Sequence, residues 1–265
     1  MEITRTIFKN AFQPKNIPDW TCPTCHKGVL KADIKNIKTI ENALSLSFHD
    51  HDSWEPGFIK GIFVGILKCS NSTCNETVVI TGDFYSDDDY IFDPIDGGYS
   101  MISNKMLTPT CFNPPLHFFQ INKDVPSNIQ QEIINSFNIY WLDISSCSNK
   151  IRVAVELIMD DMKIPKTYLQ SNKRRGYSLH KRIELFKVSK PEYAELLMAI
   201  KWIGNSGSHT GDSLTKDDIL DSFEILEHVT TKLYETDTKR IAKVAKTINK
   251  RKKPIGTTKA RKSAK

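Results

Sequence analysis

Two pairs of cysteines constrain this chain more than any other feature: Cys22-Pro23-Thr24-Cys25, and Cys69 with Cys74 a short loop further on. A tetrahedral metal ion needs four soft donors converging at about 2.3 Å, and a two-residue spacer lets one tight turn present two thiolates to the same ion. The 43 residues between the pairs must then fold so that two turns meet. Four thiols complete such a site and leave no open position. The pattern therefore predicts a structural zinc ion on Cys22, Cys25, Cys69 and Cys74, and folding stability rather than hydrolysis. His26, His49 and His51 are the residues available to replace a cysteine.

A disulfide framework is the competing use of paired cysteines. Residues 1–20 carry scattered charges and no apolar segment, which predicts a cytoplasmic chain without a signal peptide, and a reducing compartment disfavours disulfides. A redox pair at Cys22 and Cys25 lacks the βαβ surroundings it would need. The N-terminal unit is expected to owe its fold to the ion, because its apolar content is modest. Cys111 and Cys147 stand apart with no local base to activate a thiolate, and are expected to be buried structural residues.

With 265 residues and 39% hydrophobic content the chain can bury a core and suggests two domains. No run approaches the roughly 18 apolar residues of a membrane span. Residues 20–85 read as short strands and turns around the cysteines. Residues 86–125 hold Asp87, Asp88 and Asp89, the Gly97-Gly98 pair and prolines at 94, 109, 114 and 115. They predict a long connection draped over its neighbours by aromatic residues, with the acidic run, Asp93 and Asp96 solvated.

From Pro126 the apolar period becomes helical. One helix carries Ile129, Ile133, Phe137 and Tyr140; a second follows Ser148 with Ile151, Val155, Ile158 and Met162. A third covers residues 178–187 after an Arg174-Arg175-Gly176 turn. The fourth starts from a capping box at Ser189 and Glu192 and ends at Gly204-Asn205, and the fifth starts from Thr215 and Asp218. The predicted fold class is α+β: a zinc-binding β unit with its connection over 1–118, a bundle of about five helices over 119–238, and a basic tail over 239–265, helical to Lys250 and disordered from 257.

The formal charge of +6 conceals a segregation. Twelve of the 37 cations lie in residues 239–265 with no acidic residue among them, so the body holds 25 cations against 31 anions. Lys239, Arg240, Lys243, Lys246, Lys250, Arg251, Lys252 and Lys253 form a segment that can neutralise phosphates with release of counterions. No aromatic residue accompanies them, which leaves attraction to the backbone of RNA or DNA without sequence preference. An acidic protein is the other partner such a tail fits.

Several segments together resemble the domain-of-unknown-function family numbered 4145: the cysteine pairs, Pro114-Pro115, Pro126-Ser127-Asn128-Ile129, Ile151-Arg152-Val153-Ala154-Val155-Glu156, the run Ile203-Gly204-Asn205-Ser206-Gly207-Ser208-His209, and a last helix near Leu233-Tyr234. The resemblance implies a place in bacterial defence or restriction. The helical half also looks like the HEPN superfamily of small bundles, which implies homodimers and, in several members, metal-independent cleavage of RNA by an Arg and a His spaced by four to six residues. The chemistry needs a group that moves a proton near neutral pH and a fixed cation on the phosphate.

Before His209 the corresponding positions carry Gly204, Ile203 and Trp202, none of them basic. Lys201 is the nearest cation, and Arg175 with His180 fits the spacing in another place. His209 and Asn205 are therefore the candidate catalytic residues of a ribonuclease, while the expected reading is a non-catalytic binding protein in which both clamp a loop and Asn205 and Gly207 take positive φ. Arg152 and Glu156 are expected to be an internal i,i+4 pair.

Overall fold

The computed structural model describes residues 4–92, 97–206 and 214–252. It is an α+β fold in which an antiparallel sheet precedes a helical layer. The sheet contains β1 (Leu30–Lys31), β2 (Ile37–Glu41), β3 (Lys60–Cys69), β4 (Thr77–Phe92) and β5 (Tyr99–Asn113). Strands β1 and β2 share one edge of β3, with Leu30 opposite Cys69 and Ile37 opposite Gly65; β4 takes the other edge and β5 pairs with β4. Two short helices, α1 (Thr6–Lys9) and α2 (Ala43–Ser47), flank it.

Alternation sets which face is buried. In β3, Phe63, Leu67 and Cys69 point inward while Ile62, Val64 and Ile66 remain exposed on the outer face. The register shifts between Thr81 and Gly82, where the strand passes Pro109 of β5. Pro109 has no N–H for the ladder, and a Cβ on Gly82 would stand 2.1 Å from the Thr108 carbonyl oxygen, so this bulge requires glycine.

Residues 86–113 are not the irregular connection their composition predicts, whereas 114–125 are irregular and packed onto the core through Leu116, Phe118 and Phe119. β4 and β5 continue past the end of β3 as a two-stranded ribbon, pairing Ser86 with Lys105 through to Phe92 with Tyr99. Asp87 and Asp89 are exposed there, as expected of solvated acids, but on a strand; Asp93 and Asp96 lie outside the described residues. Gly97, two residues before β5, has φ of 67°, a conformation glycine adopts without strain.

The helical layer holds α3 (Ser127–Ile139), α4 (Ile144–Asp161), α5 (Leu179–Lys187), α6 (Pro191–Ser206), α7 (Lys216–Tyr234) and α8 (Thr236–Arg251), with a hairpin of β6 (Thr167–Gln170) and β7 (Lys173–Gly176) between α4 and α5. The predicted stripe of α3 is buried throughout. Asp143 caps α4, whose start lies earlier than Ser148, by accepting from the Ser145 N–H. Ser189 does not cap α6: its hydroxyl donates back to the Phe186 carbonyl.

At α7 the capping box is complete, with Thr215 accepting from the Asp218 N–H and Asp218 from the Thr215 N–H. Thr215→Ala is expected to lower stability by about 1 kcal/mol, read as a shift in the denaturant midpoint. α8 is not a continuation of α7. The chain leaves helical geometry at Glu235, where ψ is 97°.

Sheet and helices share one core. Trp20 packs edge-on against Phe112, Phe112 against Trp141, and Phe118 against both Phe137 of α3 and Phe223 of α7, with centroids 4.5–5.5 Å apart in each pair. Arg5, just before α1, reaches Asp221 and Glu224 of α7, and Lys9 pairs with Asp217. The N-terminal region thus contributes Phe8, Phe12, Trp20, Leu30, Phe63 and Leu67 to a common interior. Its apolar content is not modest. Among the described residues no helix is long and apolar enough to cross a membrane.

Candidate functional site

The pairing of β1 with β3 explains how distant cysteines meet. Leu30 opposite Cys69 sets the turn before β1 beside the turn that leaves β3, and the long insertion between the pairs is taken up by β2 and α2. The two turns have similar backbones: His26, after Cys25, has φ of 52°, and Asn75, after Cys74, has φ of 55°. Each of those left-handed residues reverses the chain just past a thiol. Thr24 of one turn donates to Glu76 beyond the other at 2.5 Å.

All four sulfur atoms lie within 4.8 Å of one another. Cys22 Sγ is 3.9 Å from Cys74 Sγ, and Cys25 Sγ is 3.7 Å from Cys69 Sγ. A tetrahedron with metal–sulfur bonds of about 2.3 Å has edges of about 3.8 Å, so the cluster has the dimensions of a closed four-thiolate centre. A disulfide would need about 2.05 Å, and all four cysteines are free.

Backbone amides aim at the sulfurs: Gly28 N–H at Cys25, 3.5 Å, and Asn71 N–H at Cys69, 3.4 Å. The amides of Gly28 and Lys27 bring the Cys25 thiol down to about 6, whereas burial pushes Cys69 up to about 12. Without an ion the four therefore do not all ionise at neutral pH, and metal binding must release protons.

The histidines stay outside the cluster. The His26 ring packs on His117, 5.2 Å between centroids, and His49 bonds Glu41 at 2.6 Å.

Gly28 is the tightest point of the centre. A Cβ there would lie 2.6 Å from Cys69 Sγ and 2.9 Å from the Asn71 nitrogen. Gly28→Ala is expected to weaken metal binding about 10- to 100-fold by displacing Cys69 and its amide donor, measured by competition with a chromogenic chelator.

The remaining thiols separate. Cys147 is buried, and its S–H points to the Ser136 carbonyl at 3.2 Å. Cys111 is exposed on the outer face of β5, contrary to the buried role expected of it, because strand alternation turns it away from its neighbour Phe112.

Of the candidate catalytic residues, His209 lies outside the described residues, as does Gly207. Asn205 belongs to the last turn of α6 and has no positive φ, since the helix runs past Gly204. Gly204 is not a stop signal. It packs on α4, where a Cβ would make ordinary van der Waals contact, 3.6 Å, with Ser148 Oγ and Arg152 Cβ. Lys201 is buried, with its ammonium over the Trp202 ring at 3.2 Å. Arg152 Nε faces Glu156 at 3.6 Å, as its spacing predicts. Arg175 lies on β7 and His180 on α5, where it faces Glu184 at 3.5 Å.

In the tail, Lys243, Lys246, Lys250 and Arg251 are exposed on α8, and Lys252 caps its end in a left-handed conformation. Lys239 and Arg240 fall in the same helix, while Lys253 and residues 257–265 lie outside the described residues. Among the described residues, none of the five exposed cations from Lys243 to Lys252 has an ion-pair partner.

An α+β chain with a four-cysteine cluster and a basic C-terminal helix is the class that fold and site define. Its two halves match two family models: residues 135–251 that of a domain of unknown function, DUF4145, and residues 10–112 that of another, DUF8608. The first is the family the sequence resembles, and its match runs from within α3 to the end of α8. The cysteines fall within the second. No curated protein and no solved structure matches the chain.

Proposed function

We propose that this is a zinc-stabilised binding protein that holds RNA or DNA through its basic C-terminal segment and performs no chemistry of its own. The observation that carries the reading is the charge of α8 and its cap: Lys243, Lys246, Lys250, Arg251 and Lys252 are all exposed, have no ion-pair partner among the described residues, and lie in a segment without one acidic residue. Unmatched positive charge on one helix is the electrostatic footprint of a polyanion site.

Four converging thiolates favour Zn2+ over harder cations, and the closed geometry assigns it a structural role. Free thiols of this kind fit a reducing cytoplasm. A place in defence or restriction rests on the family resemblance alone, as does a homodimer through the helical layer. An acidic protein is the competing partner. Binding of labelled oligonucleotides by the full chain, compared with a chain ending at Thr238, tests the reading.

A second reading has one observation in its favour. α4 packs Arg152 against Gly204 near the end of α6, with Arg152 Cβ and Cδ 3.6 and 3.8 Å from where a Gly204 Cβ would stand, so a cation lies beside the helix from whose end the sequence continues to His209. A HEPN-like ribonuclease using His209 and Asn205 would then have Arg152 of α4 as a candidate phosphate cation in addition to Lys201 and Arg175. Metal-independent cleavage of single-stranded RNA that disappears in His209→Ala would establish this reading and displace the first.

A further inference from the structure

The hairpin β6–β7 interrupts the helical layer and does nothing for its core: all eight strand residues are exposed. Ser171 and Asn172, with φ of 49° and 58°, form a two-residue turn whose left-handed geometry suits the twist of a hairpin. Tyr168 pairs with Arg175 and Gln170 with Lys173. Residues opposite each other, and residues two apart on a strand, share a face. Tyr168, Arg175, Lys173 and Tyr177 therefore lie together, and the rings of Tyr168 and Tyr177 stack at 4.6 Å with 25° between planes.

The root of the hairpin is held firmly. Arg182, buried in α5, donates to Asp160 at 2.6 Å and to the Ile164 carbonyl at 3.1 Å, and Lys166 pairs with the same carboxylate at 2.7 Å. Tyr177 N–H closes the ladder on the Lys166 carbonyl. Beyond that root the cations are unmatched: among the described residues Lys173, Arg174 and Arg175 have no carboxylate partner.

We propose that the β6–β7 hairpin is a contact for single-stranded nucleic acid, with the Tyr168–Tyr177 pair as a stacking platform for an unpaired base and Lys173 and Arg175, on the same face, at the flanking phosphates. A two-stranded hairpin has little stability of its own, and this one places Lys173 and Arg175 beside each other on one face, a cost that an anion repays. Stacked aromatic rings with adjoining cations fit a strand that offers π-faces and phosphates alternately. Duplex bases present no free face to such a platform. The inference rests on the reading that the protein binds nucleic acid, but it uses residues separate from the basic tail.

The test is fluorescence anisotropy of a labelled oligouridine of about 12 nucleotides across a salt series. Tyr168→Ala is expected to weaken binding between about 5- and 100-fold without changing the salt slope, and Tyr168→Phe to restore it. Changing Lys173 and Arg175 together to Gln is expected to reduce the slope of log K against log salt by about 1.4. Both variants alter exposed positions, so far-UV circular dichroism and the unfolding midpoint are expected to match the parent.

Unchanged affinity in Tyr168→Ala, or an unchanged slope in the Lys173→Gln, Arg175→Gln double variant, overturns the proposal. Loss of affinity on truncation at Thr238 with the hairpin variants unaffected also overturns it while leaving the tail reading intact. The reverse pattern removes the tail reading and supports the hairpin. Equal sensitivity of a duplex probe to Tyr168→Ala contradicts the single-strand assignment.

Discussion

A chain ending at Thr238 is expected to bind oligouridine about 100-fold more weakly than the full protein at 200 mM salt, and to show a much flatter dependence on salt. Twelve cations and no anion lie beyond that point. The five on described, exposed positions of α8 and its cap are enough to neutralise about five phosphates. Each contact with a single strand adds about 0.7 to the slope of log K against log salt, so the slope is expected to fall by about 3.5 on truncation. Because no aromatic residue accompanies the tail cations, their share of the affinity is electrostatic and fades as salt rises. What remains after truncation belongs to surfaces such as the β6–β7 hairpin. Equal affinities and equal slopes for the two chains would remove the tail from the binding surface.

Cys22→Ser is expected to abolish stoichiometric metal. Cys22 is wholly buried, its sulfur is one corner of the cluster, and a serine hydroxyl at that place is a poor ligand for a soft-donor ion. Structural zinc contributes about 10 to 16 kcal/mol of apparent binding free energy in small peptides. Only part of such a term appears here as global stability, because the sheet continues into the helical core through Phe112, Trp141 and Phe118. The two cysteine turns, tied otherwise by the Thr24–Glu76 bond and a short β1, are expected to lose order, and the unfolding midpoint to drop by roughly 10 °C, equivalent to about 3 to 5 kcal/mol. Metal content by atomic emission, with thermal unfolding of the same samples, checks both. Full zinc stoichiometry in the variant would remove Cys22 from the site.

Elements built from local signals were legible in the sequence. The stripe of Ile129, Ile133 and Phe137 repeats at the helical period, Ser178 caps α5 as a cap residue does, and Thr215 with Asp218 opens α7. The cysteine set was legible for the same reason, since two tight turns with paired thiols have few other uses. What failed is what depends on distant partners. The ribbon of β4 and β5 carries three consecutive aspartates and an in-strand proline, poor strand formers that pairing with a neighbour overrides.

Gly204 reads as a helix stop in isolation, yet α6 runs on through it to Ser206 while packed on α4. The β6–β7 hairpin was hidden by its length: four residues a side give too few alternations to register. Its one signal was the Ser171-Asn172 pair between Leu169-Gln170 and Lys173-Arg174.

The most direct measurement of the central claim is a titration of labelled single-stranded RNA with the full chain, followed by anisotropy and then by denaturing electrophoresis of the same samples without added metal. The account predicts saturable, salt-sensitive binding that weakens about 100-fold on removal of residues 239–265, with the RNA recovered at full length. RNA shortened in those samples, and left whole by His209→Ala, would contradict it.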